Sequence, residues 1–201
     1  MNLPNKITVW RMFGTFVFAI LATIADQDVL LSMGVGENNV EMVFLILRRI
    51  GYVIMAFCGF SDLLDGYIAR KYNLITTFGK LMDPLSDKIY VMVGFIVISY
   101  DGFMHPVIVL IILAREFAMT GLRGLAANRG EVIAASNLGK LKTIFQMSII
   151  GYGGLFWIRI IQNEGIWNVL WNIQLAFIVI FTLYTGIDYF WKARHLYMEE
   201  C

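Results

Sequence analysis

Four aspartates carry most of the chemistry this sequence can offer: Asp62, Asp65, Asp83 and Asp87. On helices, Asp62 and Asp65 are i,i+3 neighbours and Asp83 and Asp87 are i,i+4, so each pair shares one helical face. Only the short Lys71–Thr77 connection separates the two segments, so the helices run antiparallel and their carboxylate faces can meet. Carboxylates gathered in this way repel one another and need a cation or protons. Hard divalent ions with oxygen ligands suit them, and Mg²⁺ is the usual choice where phosphates bind. One or two such ions are expected, with Mn²⁺ or another divalent ion suiting the same donors. The competing reading is that each aspartate caps a helix, or that Asp83 before Pro84 starts or kinks one. Two pairs, each on one face, make that reading poor.

Glycines flank the carboxylates. Gly66 follows Asp65, and Gly79 lies one turn before Asp83. Glycine costs about 1 kcal/mol against alanine in a helix, so these positions point to a close approach. The approaching group is either a flat one such as a nucleobase or ribose, or a neighbouring helix.

A second constellation is cationic. Arg115 and Arg123 lie in "LAREFAMTGLRGLAANRG", and Lys140 and Lys142 in "SNLGKLKT". A cation within an apolar span is costly without a partner, and Glu116 is expected to serve Arg115 only awkwardly, since adjacent helical residues diverge. Arginine suits bidentate phosphate recognition, so Arg115, Arg123 and Lys140 are read as an anion pocket for a phosphate-bearing acceptor. The alternative, a basic cytoplasmic rim with snorkelling side chains, explains Arg129 and Lys142 but not Arg115. Lys142 is expected to point away from the Lys140 face, toward the lipid headgroups.

The elements that position these residues read as membrane helices. Hydrophobic residues make up 59% of the 201-residue chain and charged residues 15%, against about 25% charged in a soluble domain, and mean hydropathy is +0.70. Segments of roughly 20 apolar residues fall at about Thr8–Ala25, Ile50–Ala69, Leu85–Tyr100, Pro106–Ala127, Leu141–Ile161 and Trp167–Trp191. The expected fold is an all-α integral membrane protein, one domain over residues 1–201, with six transmembrane helices. "MNLPNK" is read as a short N-terminal interfacial segment, and Val40–Leu47, ending at Arg48-Arg49, as an interfacial piece outside the second span. Asp26 and Asp28 follow the first span in place of a cleavage site, so that span is read as a retained helix. Basic residues collect on one side of this topology, which puts both termini and the aspartates in the cytoplasm. Trp10, Tyr189 and Trp191 are read as interfacial aromatics. The two cysteines, Cys58 and Cys201, make neither a disulfide framework nor a metal site. A net charge of +1 points neither way on nucleic acid, and none is expected as a partner.

The spacing Asp62-x-x-Asp65-Gly66-x-x-Ala69-Arg70, then Gly79-x-x-x-Asp83-x-x-x-Asp87, resembles the complete signature of the CDP-alcohol phosphatidyltransferases. The resemblance implies six membrane helices around a cytosol-facing polar cavity, a CDP-linked lipid donor, a hydroxyl acceptor, CMP as leaving group, and a homodimer. It implies that Asp62, Asp65, Asp83 and Asp87 hold the metal and that Asp87 is the general base. Asp62, Gly66, Ala69, Arg70 and Gly79 are implied to lie along the CDP moiety. "NLPNKITVWRM", "REFAMTGLR" and "GKLKT" are similar to bacterial phosphatidylglycerophosphate synthases, a branch of that family acting in the cytoplasmic membrane. For this chain that implies CDP-diacylglycerol as donor and glycerol 3-phosphate as acceptor. Cardiolipin synthases share part of the opening motif and use phosphatidylglycerol, another phosphate-bearing acceptor. A membrane prenyltransferase needs no second anion pocket, and a transporter built from repeats would show repeated halves, which the chain lacks.

Overall fold

The structure, a computed structural model, describes residues 2–72, 76–131, 137–155 and 165–195. The side chains of residues 63–65, 67, 69, 70, 80, 137–140, 152 and 155 are outside that description. Seven helices are found among the described residues: α1 (Leu3–Ile24), α2 (Gln27–Ser32), α3 (Glu37–Lys71), α4 (Thr77–Tyr100), α5 (Pro106–Asn128), α6 (Asn137–Leu155) and α7 (Ile166–Lys192). Each of the six expected spans falls on a long helix. The Ile161 end of the fifth lies outside the described residues.

Two expectations at the N-terminal end are corrected. No separate interfacial segment precedes the first span: Pro4, tolerated in a first helical turn because its missing N–H is not needed there, opens α1 itself. Val40–Leu47 is not a separate piece either, since α3 runs unbroken from Glu37 to Lys71. Arg48 does not interrupt it, because the residue is buried with its guanidinium 5.5 Å from the centre of the Phe44 ring, one turn earlier. By length and composition, α1, Glu37–Asp62 of α3, and α7 can each cross a membrane. Their outward faces are apolar: Trp10, Phe13 and Ile20 on α1, and Ile173, Ile180 and Ile187 on α7, are all exposed. Such outward apolar faces are suited to a hydrocarbon surrounding.

The chain forms two compact units. The first comprises Met1–Ile98 and Ile150–Asn163. Here α1 packs along α3, and Phe18, Met55 and Phe95 are almost fully buried. The helices come close because Gly14 faces Cys58 and Gly51 faces Phe18: a Cβ on Gly51 would lie 2.9 Å from the Phe18 ring. Small residues serve membrane helix pairs in this way. Asp26 caps α2 by accepting from the amides of Asp28 and Val29 at 3.0 and 3.3 Å.

The second unit comprises Ser99–Ile149 and Glu164–Cys201. There α5 packs on α7 through Met119, Leu122, Ala126, Tyr189 and Ala193. The Phe145 ring of α6 lies 4.8 Å from that of Phe177 on α7. Buried Trp171 donates its indole N–H to the Phe103 carbonyl at 2.9 Å. Tyr189 is thus a core residue of the α5–α7 contact, not the rim aromatic expected of it, whereas Trp10 and Trp191 are exposed.

Candidate active site

Asp62, Asp83 and Asp87 are gathered by α1, a helix not expected to take part in the site. On α1, Asn5, Thr8, Arg11 and Thr15 recur at intervals of three, three and four residues and form one polar stripe on a mostly apolar helix. All four are buried. The Asn5 amide exchanges hydrogen bonds with the Thr76 hydroxyl at 2.9 and 3.1 Å. Thr76 also caps α4 by accepting from the Gly79 amide at 3.0 Å. The Thr8 hydroxyl donates to Asp83 Oδ1 at 2.9 Å.

Arg11 makes the strongest connection. Its side chain is 2% exposed. Nη1 is paired with Asp62 Oδ1, and Nη2 lies 3.0 Å from Asp87 Oδ1. Nε donates to the Ser86 hydroxyl at 2.9 Å. One guanidinium therefore joins a carboxylate of α3 to one of α4, the fork geometry that arginine offers and lysine does not. A charge this deeply buried is tolerable only when paired. Asp87 stays 45% exposed and Asp62 26%, so both remain reachable.

Asp62, Asp83 and Asp87 are thus brought together around two residues of α1 that lie one turn apart. Asp65, Ala69 and Arg70 lie in α3, but their side chains are outside the described residues. Gly66 lies in the same helix. Gly79 is buried, and a Cβ there would come within 3.0 Å of Asn5 Oδ1, 3.3 Å of Thr76 Oγ1 and 3.7 Å of Asp83 Oδ2. The close approach expected at Gly79 is made in this structure by side chains of the protein itself. Among the described residues no group of three or more His, Cys, Asp or Glu is set out to hold a metal ion. The donors at Asp62, Asp83 and Asp87 are nevertheless all hard carboxylate oxygens, the set suited to a divalent cation of the Mg²⁺ type. The site also already accommodates one positive charge, that of Arg11.

The Thr8 contact yields a quantitative expectation. Thr8→Val keeps the shape and removes the donor to Asp83. A hydrogen bond to a charged group contributes roughly 1.5–3 kcal/mol, so a loss of about tenfold or more in turnover is expected, with the fold intact by circular dichroism. Wild-type turnover would mean that Thr8 does not position Asp83.

The cationic constellation lies in the second unit, and two expectations about it are corrected. Glu116 does partner Arg115, with Nη1 3.3 Å from Oε1, and Arg115 Nη2 also donates to the Thr185 hydroxyl at 3.3 Å. The arginine stem runs along α7, where a Cβ on Gly186 would come within 3.2 Å of Arg115 Cγ. Lys142 does not face the headgroups. It is buried and its ammonium is paired with Glu116. Glu116 therefore serves two cations from two helices and leaves an excess of one positive charge. Arg123 is exposed, with its guanidinium 5.7 Å from the centre of the Tyr189 ring. Lys140 lies in α6, and its side chain is outside the described residues. Glu116→Ala leaves two cations without their carboxylate and is expected to destabilise by roughly 3–5 kcal/mol, read as a large drop in the thermal midpoint in detergent. A drop no larger than that of Lys192→Ala, at an exposed pair with Asp188, would contradict the central place given to Glu116.

Residues 1–184 match the CDP-alcohol phosphatidyltransferase family. The chain is 37% identical over 191 residues to a CDP-diacylglycerol–glycerol-3-phosphate 3-phosphatidyltransferase of Bacillus subtilis strain 168, covering 95% of this chain and 94% of that one. It is 33% identical over 193 residues to the protein of the same name from Rickettsia typhi, covering 94% and 95%. A probable phosphatidylglycerophosphate synthase of Mycobacterium tuberculosis is 32% identical over 192 residues, covering 96% of this chain and 81% of that one. The chain belongs to the CDP-alcohol phosphatidyltransferase family.

Proposed function

We propose that this protein transfers the phosphatidyl group of CDP-diacylglycerol to glycerol 3-phosphate, giving phosphatidylglycerophosphate and CMP. The observation that carries the reading is the convergence of Asp62, Asp83 and Asp87 on the α1 residues Arg11 and Thr8, in a chain that aligns almost end to end with relatives of that activity. Six spans, both termini and the active site on the cytoplasmic face of a bacterial membrane, and a homodimer complete the proposal. The apolar helices and the one-sided basic residues support the membrane placement.

In the reaction, the acceptor hydroxyl oxygen forms a bond to the phosphorus that carries diacylglycerol. The bond from that phosphorus to the CMP oxygen breaks, and CMP leaves with the electron pair. Asp87, the most exposed of the carboxylates bound by Arg11, takes the hydroxyl proton as general base. Asp62, Asp65, Asp83 and Asp87 would hold a divalent ion, Mg²⁺ by preference, which when bound would neutralise the diphosphate charge. Gly66, Ala69, Arg70 and Gly79 line the CDP moiety. Arg115, Arg123 and Lys140 hold the acceptor phosphate, for which the single excess positive charge at Arg115, Glu116 and Lys142 provides a favourable field.

The first test is CMP release from CDP-diacylglycerol by purified protein in mixed micelles. Release that needs both glycerol 3-phosphate and a divalent ion is expected. Release of diphosphate from an allylic substrate, with CDP-diacylglycerol untouched, would place the protein among prenyltransferases instead.

A further inference from the structure

Arg11 contacts two of the carboxylates assigned to the metal, Asp62 and Asp87, and is anchored at other atoms as well. The Thr15 hydroxyl and Cys58 Sγ donate to its carbonyl at 2.9 and 3.6 Å, and Nε is held by Ser86 at 2.9 Å. Those anchors hold the main chain and the Nε side of the guanidinium, while the two Nη atoms face Asp62 and Asp87. The contacts of the Arg11 carbonyl hold α1 beside α3 independently of the two carboxylate pairs. Its charge also has a clear electrostatic consequence. It neutralises part of the carboxylate charge that attracts a cation, and both of its contacts are to Oδ1 atoms that a divalent ion would seek.

We infer that Arg11 is the resident counter-cation of the aspartate site, and that a divalent ion gains Asp62 and Asp87 in competition with its guanidinium. The inference rests on the metal-dependent reading proposed above and adds a residue that sets the affinity of that site. Arg11 has two effects in this account. It holds the carboxylates of α3 and α4 together against their mutual repulsion, and it keeps divalent-ion affinity low until substrate contributes its own phosphates. Removing its charge therefore tightens ion binding and lowers turnover. A residue that merely stabilised the fold would lower both or neither.

The test is a Mn²⁺ titration of nucleotide-free protein in detergent, with free Mn²⁺ read by its electron paramagnetic resonance signal and thermal unfolding recorded in parallel. Arg11→Gln is expected to bind Mn²⁺ about tenfold tighter or more, a small part of what removing a charge a few ångströms from a divalent ion yields even at a surface-like dielectric. Arg11→Lys keeps a charge but cannot bridge two carboxylates, and its affinity is expected between wild type and Arg11→Gln. A folded Arg11→Gln protein with unchanged or weaker Mn²⁺ binding overturns the inference. If Arg11→Gln does not fold, Arg11→Lys decides, and an affinity equal to or below that of wild type overturns it. Wild-type turnover that persists after all divalent ions are chelated overturns the metal reading and this inference together. Mn²⁺ binding that is indifferent to position 11 overturns this inference alone.

Discussion

Asp62→Asn, Asp83→Asn and Asp87→Asn each lose at least about a hundredfold in CMP release, and each still folds. The magnitude for Asp87 follows from the 10²–10⁴-fold that a positioned general base contributes. For Asp62 and Asp83 it follows from the loss of a charged ligand from the divalent-ion site proposed here. Folding survives because asparagine keeps a carbonyl oxygen where Arg11 and Thr8 place their donors. Alanine at Asp62 would instead strip a partner from a buried cation, at a cost of roughly 3–5 kcal/mol. The three variants should also differ in kind. Asp87→Asn retains donor binding while turnover falls. A variant at Asp87 that loses CDP-diacylglycerol binding and keeps the turnover of bound donor would remove it from the role of base. Near wild-type turnover at Asp62 or Asp83 would remove that residue from the ligand set.

Arg115→Ala raises the KM for glycerol 3-phosphate about tenfold to a hundredfold and leaves that for CDP-diacylglycerol unchanged. The range corresponds to the roughly 1.5–3 kcal/mol of a charge-assisted hydrogen bond. Arg115→Lys recovers only part of the loss, since one ammonium cannot reproduce the guanidinium fork that now spans Glu116 and Thr185. Lys142 is not a neutral control, because it is buried against Glu116. Lys192, exposed and paired with Asp188 within its own helix, takes that role. A rise in the donor KM alone would reverse the division of labour proposed for Arg115. No change in either would leave the acceptor phosphate to Arg123 and Lys140.

Much of this architecture was legible in the sequence because it follows from periodicity. Apolar runs match each long helix, and the spacing of Asp62, Asp83 and Asp87 points to the carboxylates that converge. What escaped was the role of residues whose type has a commonplace explanation. Arg11 near the start of an apolar helix reads as a charge that fixes membrane orientation, and only the recurrence of Asn5, Thr8 and Thr15 on its face marks it as buried. Lys142 stands two residues from Lys140, which indicates that it leaves that face but not that Glu116 of another helix receives it. The pairing of Arg115 with its sequence neighbour was discounted on Cβ directions alone, whereas long side chains beside a glycine, here Gly186, can bend back to meet. Arg48-Arg49 looked like a helix boundary because the sequence does not reveal that Arg48 finds Phe44 and burial.

The central claim is that the phosphatidyl group passes to glycerol 3-phosphate. The direct measurement gives purified protein CDP-diacylglycerol, Mg²⁺ and, in separate reactions, glycerol 3-phosphate, phosphatidylglycerol, serine or inositol phosphate, with the lipid product identified by mass and CMP quantified. Phosphatidylglycerophosphate and CMP are expected in equal amounts with glycerol 3-phosphate, and little product with the others. Cardiolipin from phosphatidylglycerol, with glycerol 3-phosphate unused, would contradict it.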